Sequence, residues 1–197
     1  MTVEIRQASV ADSTHLALLA DAATRRLISW VWDMSTTPGQ SRFEVGREAI
    51  RADEASTSHH RRWRVAESDG HVAGGLNSYV LVPADHSGLP PEVERVVRPV
   101  DELKAIAEST WYVSVASVFP EFRGQGIGHA LLEEADRCAR SAECGVVTLL
   151  VHSFNPGAHG LYTRLGFSEW ERREFVPFDG SDRDGHWILT RRAVDRA

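Results

Sequence analysis

The stretch best suited to chemistry is Arg123-Gly124-Gln125-Gly126-Ile127-Gly128, which stands directly ahead of a helical apolar pattern. A glycine-rich turn opening a helix presents backbone N–H groups that have no intrahelical partner. They lie at the positive end of the helix dipole, so the ligand they suit is an anion such as a phosphate. Two familiar phosphate loops are excluded by spacing. A Walker loop ends in Gly-Lys-Ser/Thr, whereas Gly128 is followed by His129 and Ala130. A dinucleotide turn needs G-x-G-x-x-G, whereas the glycines here fall at 124, 126 and 128.

The flanking residues predict what positions this turn. Residues 110–118 hold Trp, Tyr and three Val, a β-branched and aromatic run that reads as a buried strand. Pro120 ends it, having no N–H for a ladder. Beyond the glycines, Ile127, Ala130, Leu131, Ala135 and Cys138 recur at steps of three and four. They make one apolar helix face, with Glu133, Glu134 and Arg137 expected away from it. Residues 146–151 form an uncharged β-branched run, as in a central strand. Asn155-Pro156 is a helix start and Gly166 a helix stop.

Two segments in this order resemble the GNAT acyltransferase superfamily. Arg123, Gly126 and Gly128 occupy the first, fourth and sixth positions of its R/Q-x-x-G-x-G/A motif. Asn155-Pro-Gly-Ala158, Leu161-Tyr162 and Leu165-Gly166-Phe167 are similar to its N-x-x-A-x-x-L/F-Y-x-x-L-G-F segment. The likeness is dense over 110–167, weaker over 1–82, and slight over 83–108 and 170–197.

The resemblance implies an α+β fold: a mixed, mostly antiparallel central sheet of six to seven strands flanked by helices. It implies a single acetyltransferase domain over 1–197, with a helical insertion around 83–108. It also implies acetyl-CoA as co-substrate, its pyrophosphate on the amides from Gly124 through Gln125, Gly126, Ile127 and Gly128 to His129, with Arg123 leading the loop. Ala116, Ser117 and Val118, at the end of the preceding strand, would meet the pantetheine arm, with the Val118 N–H polarising the thioester carbonyl. Asn155 matches a residue that contacts the coenzyme arm, and its role as a helix cap explains it equally well. Tyr162 stands at the family's general-acid position. Its phenol, of pKa ~10 against ~8.5 for a thiol, can protonate a leaving thiolate in a shielded site. A core tyrosine that only hydrogen-bonds is the competing reading. The strand carboxylate that many relatives use as a base is missing from 112–116. Glu67, Glu121 and His152 are the substitutes nearest in sequence, beside proton loss through water or uptake of a neutral amine.

The rest of the chain supplies scaffold. Residues 2–8 read as a first strand, and Asp12 as the cap of a helix striped by Leu16, Leu19, Ala20, Ala23, Leu27, Ile28 and Val31. Trp30, Trp32 and Met34 close that helix, as packing or as a border of the acceptor site. A second helix is expected over 43–55, then two strands over 63–67 and 72–82 joined at Asp69-Gly70, a turn pair suited to positive φ. Gly74-Gly75 suggests a bulge or a close backbone approach. A loop over 83–91 leads to helical spacing over 92–108. Pro99 there predicts two short helices or one kinked one, either covering the acceptor side or only packing. Two strands, 167–176 and 186–191, end the chain around a polar loop at 178–185, whose acids lack the full calcium-loop pattern.

Composition bounds the function. At 197 residues the chain can bury a sizeable core, and a net charge of −6 argues against general nucleic-acid affinity. The sequence shows no apolar run of membrane-spanning length, no secretory pattern at its start, and no metal-ligand spacing. Two cysteines, Cys138 and Cys144, make no disulfide framework, and a cytoplasmic setting is expected. The reading is therefore an N-acetyltransferase moving an acetyl group to a primary amine of a small molecule. Acetylation of a protein N-terminus or lysine, and a non-catalytic acyl-CoA sensor, are the alternatives. A homodimer is expected by family analogy alone.

Overall fold

The computed structural model describes residues 3–82, 89–181 and 183–194. The described residues form seven strands and six α-helices. The strands are β1 (Val3–Gln7), β2 (Trp63–Ser68), β3 (His71–Val80), β4 (Trp111–Val118), β5 (Val146–His152), β6 (Ser168–Glu174) and β7 (His186–Ala193). They order as β1-β2-β3-β4-β5-β7-β6. Pairs β1–β2, β2–β3, β5–β7 and β6–β7 are antiparallel, and β4 runs parallel to β5. The expected α+β class, with a mostly antiparallel sheet of seven strands, is what the chain forms. No helix among the described residues is long and apolar enough to cross a membrane.

The chain divides into two compact units. One runs to Tyr79 and adds Ser114–Glu134; the other holds Val80–Val113 and the chain from Ala135 onward. In the first unit, α1 (Ser13–Ala23), α2 (Leu27–Asp33) and α3 (Arg42–Ala52) accompany β1 to β3. Leu16, Leu19, Trp32, Ile50, Trp63 and Val65 are buried in one cluster. Each such side chain contributes about 1.5–3 kcal/mol by leaving water.

The single helix expected through 31 is two helices. The break falls at Arg25 and Arg26, whose φ values of 52° and 73° are left-handed. The Arg26 N–H closes back on the Asp21 carbonyl at 3.1 Å, and the Thr24 hydroxyl donates to Ala20 at 2.9 Å while accepting from Ile28 N–H at 3.2 Å. These bonds replace the ones that the break removes. Asp12 also departs from expectation. Its carboxylate does not cap α1; it accepts from Ser9 N–H at 2.7 Å and from Arg6 Nη1 and Nη2 at 2.9 Å each. Trp30 and Trp32 are buried, and Trp32 meets Phe43 edge-on at 6.3 Å, so this pair packs; Met34 is exposed.

Asp69 and Gly70, at φ 49° and 77°, make the expected hairpin turn. Both readings of the glycine pair hold. The β2–β3 register slips between Ala66 and Glu67, which is the bulge. A Cβ on Gly74 would lie 2.7 Å from the Ser117 carbonyl oxygen, which is the close approach.

In the second unit, α4 (Pro91–Ile106) runs unbroken through Pro99 and packs on β6 and β7, burying Val93, Val96 and Leu103. Two short helices are therefore not formed: Pro99 has no N–H to give the Arg95 carbonyl, and the helix continues past it. The first part of the expected loop at 83–91, Pro83 to Gly88, lies outside the described residues, as does Asp182 of the loop at 178–185. Arg173 of β6 reaches Glu102 of α4 at 2.9 Å.

Candidate acyl-donor site

Within the first unit, β4 delivers Ala116, Ser117 and Val118 to the start of the glycine turn, all half-buried. Phe119 N–H bonds the Ala73 carbonyl at 2.9 Å, which ties the strand end to β3. Pro120 then opens a single 3₁₀ turn through Phe122. Arg123 is exposed, and its Nε donates to the Val118 carbonyl at 3.1 Å, folding the loop back onto the strand. Gln125 Nε2 donates to the Glu121 carbonyl at 3.4 Å.

Gly124 and Gly126 have φ of 75° and 81°, a region costly for any residue with a Cβ. Nothing lies within 4 Å of the Cβ position of either, so the turn has open space on that side. The helix α5 (Ile127–Ser141) follows, and the Ala130 N–H is the first to close, on the Gly126 carbonyl at 3.1 Å. Among the described residues, the amides from Gly124 to His129 bond no backbone carbonyl. The turn therefore has the donors, the open space and the dipole that an anion needs. His129 is exposed on the first turn and faces Glu133 at 3.4 Å.

The far side of α5 corrects the sequence reading. Ile127, Leu131 and Ala135 are buried as expected, but Leu132 and Glu134 are buried with them. Glu134 accepts from Arg64 Nε of β2 at 3.0 Å, and Arg64 also donates to the Gln7 side chain. A carboxylate can sit on a buried face when a guanidinium neutralises it there.

Within the second unit, α6 (Pro156–Arg164) carries Tyr162. Asn155 is its cap: the side-chain oxygen accepts the Ala158 N–H at 3.4 Å. The helix ends as expected at Gly166, with φ 81°; Gly166 N–H bonds Thr163 O at 3.1 Å and Phe167 N–H bonds Tyr162 O at 3.0 Å. The Tyr162 ring lies 5.8 Å from that of Phe167. Part of the residue reaches solvent, yet burial of its hydroxyl pushes the phenol up to about 12. The hydroxyl therefore keeps its proton at neutral pH.

The substitute bases separate by environment. Glu67 is held by Arg6 Nε at 2.8 Å, beside Asp12 on the same guanidinium. Glu121 is exposed on the 3₁₀ turn. His152 is buried at the end of β5 and stacks on Trp187 at 3.7 Å, with Phe154 at 4.6 Å. Among the described residues, no three side chains that could ligate a metal gather together.

Comparison with known proteins adds a lineage to this geometry. An uncharacterised N-acetyltransferase of Methanocaldococcus jannaschii is 46% identical over 54 residues, 27% of this chain and 24% of that protein. An Arabidopsis thaliana protein named N-alpha-acetyltransferase MAK3 is 34% identical over 71 residues, 36% of this chain and 37% of that one. The matches thus span well under half of either relative. The YncA structure of Salmonella typhimurium, solved with its cofactor acetyl-CoA, shares the fold at a TM-score of 0.62 and 20% identity, covering 100% of this chain and 96% of that one. The profile of the acetyltransferase (GNAT) family matches residues 25–167, so the chain belongs to that family.

Proposed function

We propose that the chain is one acetyltransferase domain, with the helix at 91–106 as an insertion, and that it moves an acetyl group from acetyl-CoA to a primary amine. The observation that carries this reading is the turn at 124–129. Its amides bond no backbone carbonyl among the described residues, and nothing stands at the Cβ positions of its two left-handed glycines. A pyrophosphate fits such a cradle, each charged hydrogen bond contributing roughly 1.5–3 kcal/mol.

Acetyl-CoA supplies the acyl group, already activated as a thioester. The protein's part is to bind, to orient and to move protons. The amides of Gly124 to His129 hold the pyrophosphate. Arg123 keeps the loop against the Val118 carbonyl. Ala116 and Ser117 line the strand end, and the Val118 N–H serves the carbonyl oxygen. Asn155 caps the helix that bears Tyr162, and Tyr162 gives its proton to the departing sulfur. With the phenol at about 12 and a free thiol at ~8.5, that transfer is uphill by about 5 kcal/mol, a modest part of an enzymatic barrier. The amine enters uncharged or loses its proton to water, because Glu67 is already committed to Arg6.

A small-molecule amine is the acceptor this reading favours, in the cytoplasm and without metal or nucleic acid. A protein N-terminus is the second acceptor class, favoured by the Arabidopsis relative's name. Release of free thiol from acetyl-CoA, measured across small amines and short peptides, tests both. Turnover with small amines supports the first and turnover with peptides alone supports the second. Tight binding of acetyl-CoA without any turnover would make the chain a sensor.

A further inference from the structure

The turn that follows Tyr162 is gripped by one side chain from another element. Arg192 of β7 meets three consecutive residues of that turn. Its Nη1 donates to the Leu165 carbonyl at 2.8 Å. Its Cδ lies 3.6 Å from where a Cβ on Gly166 would stand. Its guanidinium covers the Phe167 ring, 4.6 Å from the centroid. The other end of the fork is fixed by Asp136 of α5, whose two oxygens each accept from Nη2 at 2.6 Å. Both side chains are largely buried, 18% and 20% exposed, so solvent screens the pair little.

The gripped residues are the ones that set Tyr162. The Leu165 and Phe167 N–H groups both bond the Tyr162 carbonyl, at 3.1 and 3.0 Å, and the Phe167 ring lies beside the Tyr162 ring. A helix end of this kind frays when its cap loosens. A phenol at such an end keeps a fixed direction only if the cap is held. Helix α6 has only 9 residues, too few to be rigid by itself.

We propose that Arg192, oriented by Asp136, is a positioning residue that holds Tyr162 in its proton-donating orientation. The inference rests on the proposed role of Tyr162 as the acid. Arginine is needed because a planar fork can serve the carbonyl, the carboxylate and the ring face at once; the three donors of lysine leave a single nitrogen, which has no planar face for the ring.

The test uses the full chain with Arg192→Lys and Asp136→Asn, both of which keep much of the volume, and compares each with Tyr162→Phe. The ligand-free readout is the ring NMR signal of tyrosine. The chain has 3 tyrosines, Tyr79, Tyr112 and Tyr162. Arg192→Lys should move the Tyr162 signal and leave the other two in place. In turnover, Arg192→Lys should lower kcat by about tenfold, a part of the 10²–10⁴ that acid–base catalysis supplies, with little change in donor affinity. The loss should shrink to less than about twofold with an acetyl thioester of an acidic aryl thiol, which leaves without a proton donor. The double variant with Tyr162→Phe should be no slower than Tyr162→Phe alone. An unmoved Tyr162 signal, or losses that multiply in the double variant and persist with the aryl thioester, would overturn the positioning role. A normal rate for Tyr162→Phe itself would overturn the acid assignment and this inference with it.

Discussion

The carbonyl oxygen of Ser117 stands 2.7 Å from the point where a Cβ on Gly74 would be built. The backbone of β3 thus approaches the end of β4 as closely as glycine permits. The two residues after Ser117 are fixed by the same contact: Val118 Cα lies 3.3 Å from that point, and Phe119 bonds Ala73. Gly74→Ala should therefore push the end of β4 outward. The expected cost is about 1–3 kcal/mol of stability, read by urea unfolding, because backbone atoms cannot rotate away. An equal stability of variant and parent would show that the approach is not tight.

A second packing constraint joins α2 to α3. A Cβ on Gly46 would overlap the Trp32 ring. Gly46→Ala should destabilise the protein by at least about 1 kcal/mol, although the same change in an exposed helix would gain about that amount. The sign of the change in thermal midpoint decides the matter.

Acid stability should follow Asp12. Bonds to Arg6 first, and then to Ser9, hold its carboxyl at about 2, below the ordinary 3.8. A carboxyl with a lowered folded pKa adds stability above its unfolded pKa and loses it as pH falls through the folded value. The contribution is about 2 kcal/mol near neutrality, since the side chain is only 7% exposed. Unfolding free energy measured from pH ~5 down to ~2 should fall more steeply in the parent than in Asp12→Asn. Parallel curves would contradict the assignment.

The pH dependence of turnover should show no falling limb from Tyr162. Its phenol, at about 12, stays protonated at every lower pH, so the acid is lost only as pH rises toward that value. The rate should climb from about pH 7 to about 10 as the amine becomes neutral, and Tyr162→Phe should trace the same shape about a hundredfold lower. A limb descending through pH ~8–9 in the parent, absent from Tyr162→Phe, would show a phenol far more acidic than the structure gives.

How much of this was legible depended on whether a residue type announces its own conformation. Gly124, Gly126, Gly166 and the Asp69-Gly70 pair all sit at positive φ, which glycine favours, so the turns around them are legible in the sequence. Pro120 and Pro156 marked their boundaries for the same reason. Arg25 and Arg26 adopt the same left-handed region with no such signature, so the break between α1 and α2 was hidden. Glu134 looked like a solvent-facing residue because its partner, Arg64, is 70 positions away. The motif located Tyr162, but its raised pKa arises from what packs around it. The Arg192 fork carries no local pattern at all, since Asp136 and Leu165 reach it from 56 and 27 positions away.

The most direct test is a calorimetric titration of acetyl-CoA into the parent chain, Gly126→Ala and Gly126→Asp. A Cβ at Gly126 meets open space, but the left-handed φ of 81° costs any side chain about 1–2 kcal/mol, so thermal melting must show that each variant is folded. The parent should bind, Gly126→Ala should bind more weakly, and Gly126→Asp should lose at least about a hundredfold, because bulk and negative charge then stand beside the pyrophosphate. Undiminished affinity in a folded Gly126→Asp would show that the glycine turn does not hold the donor.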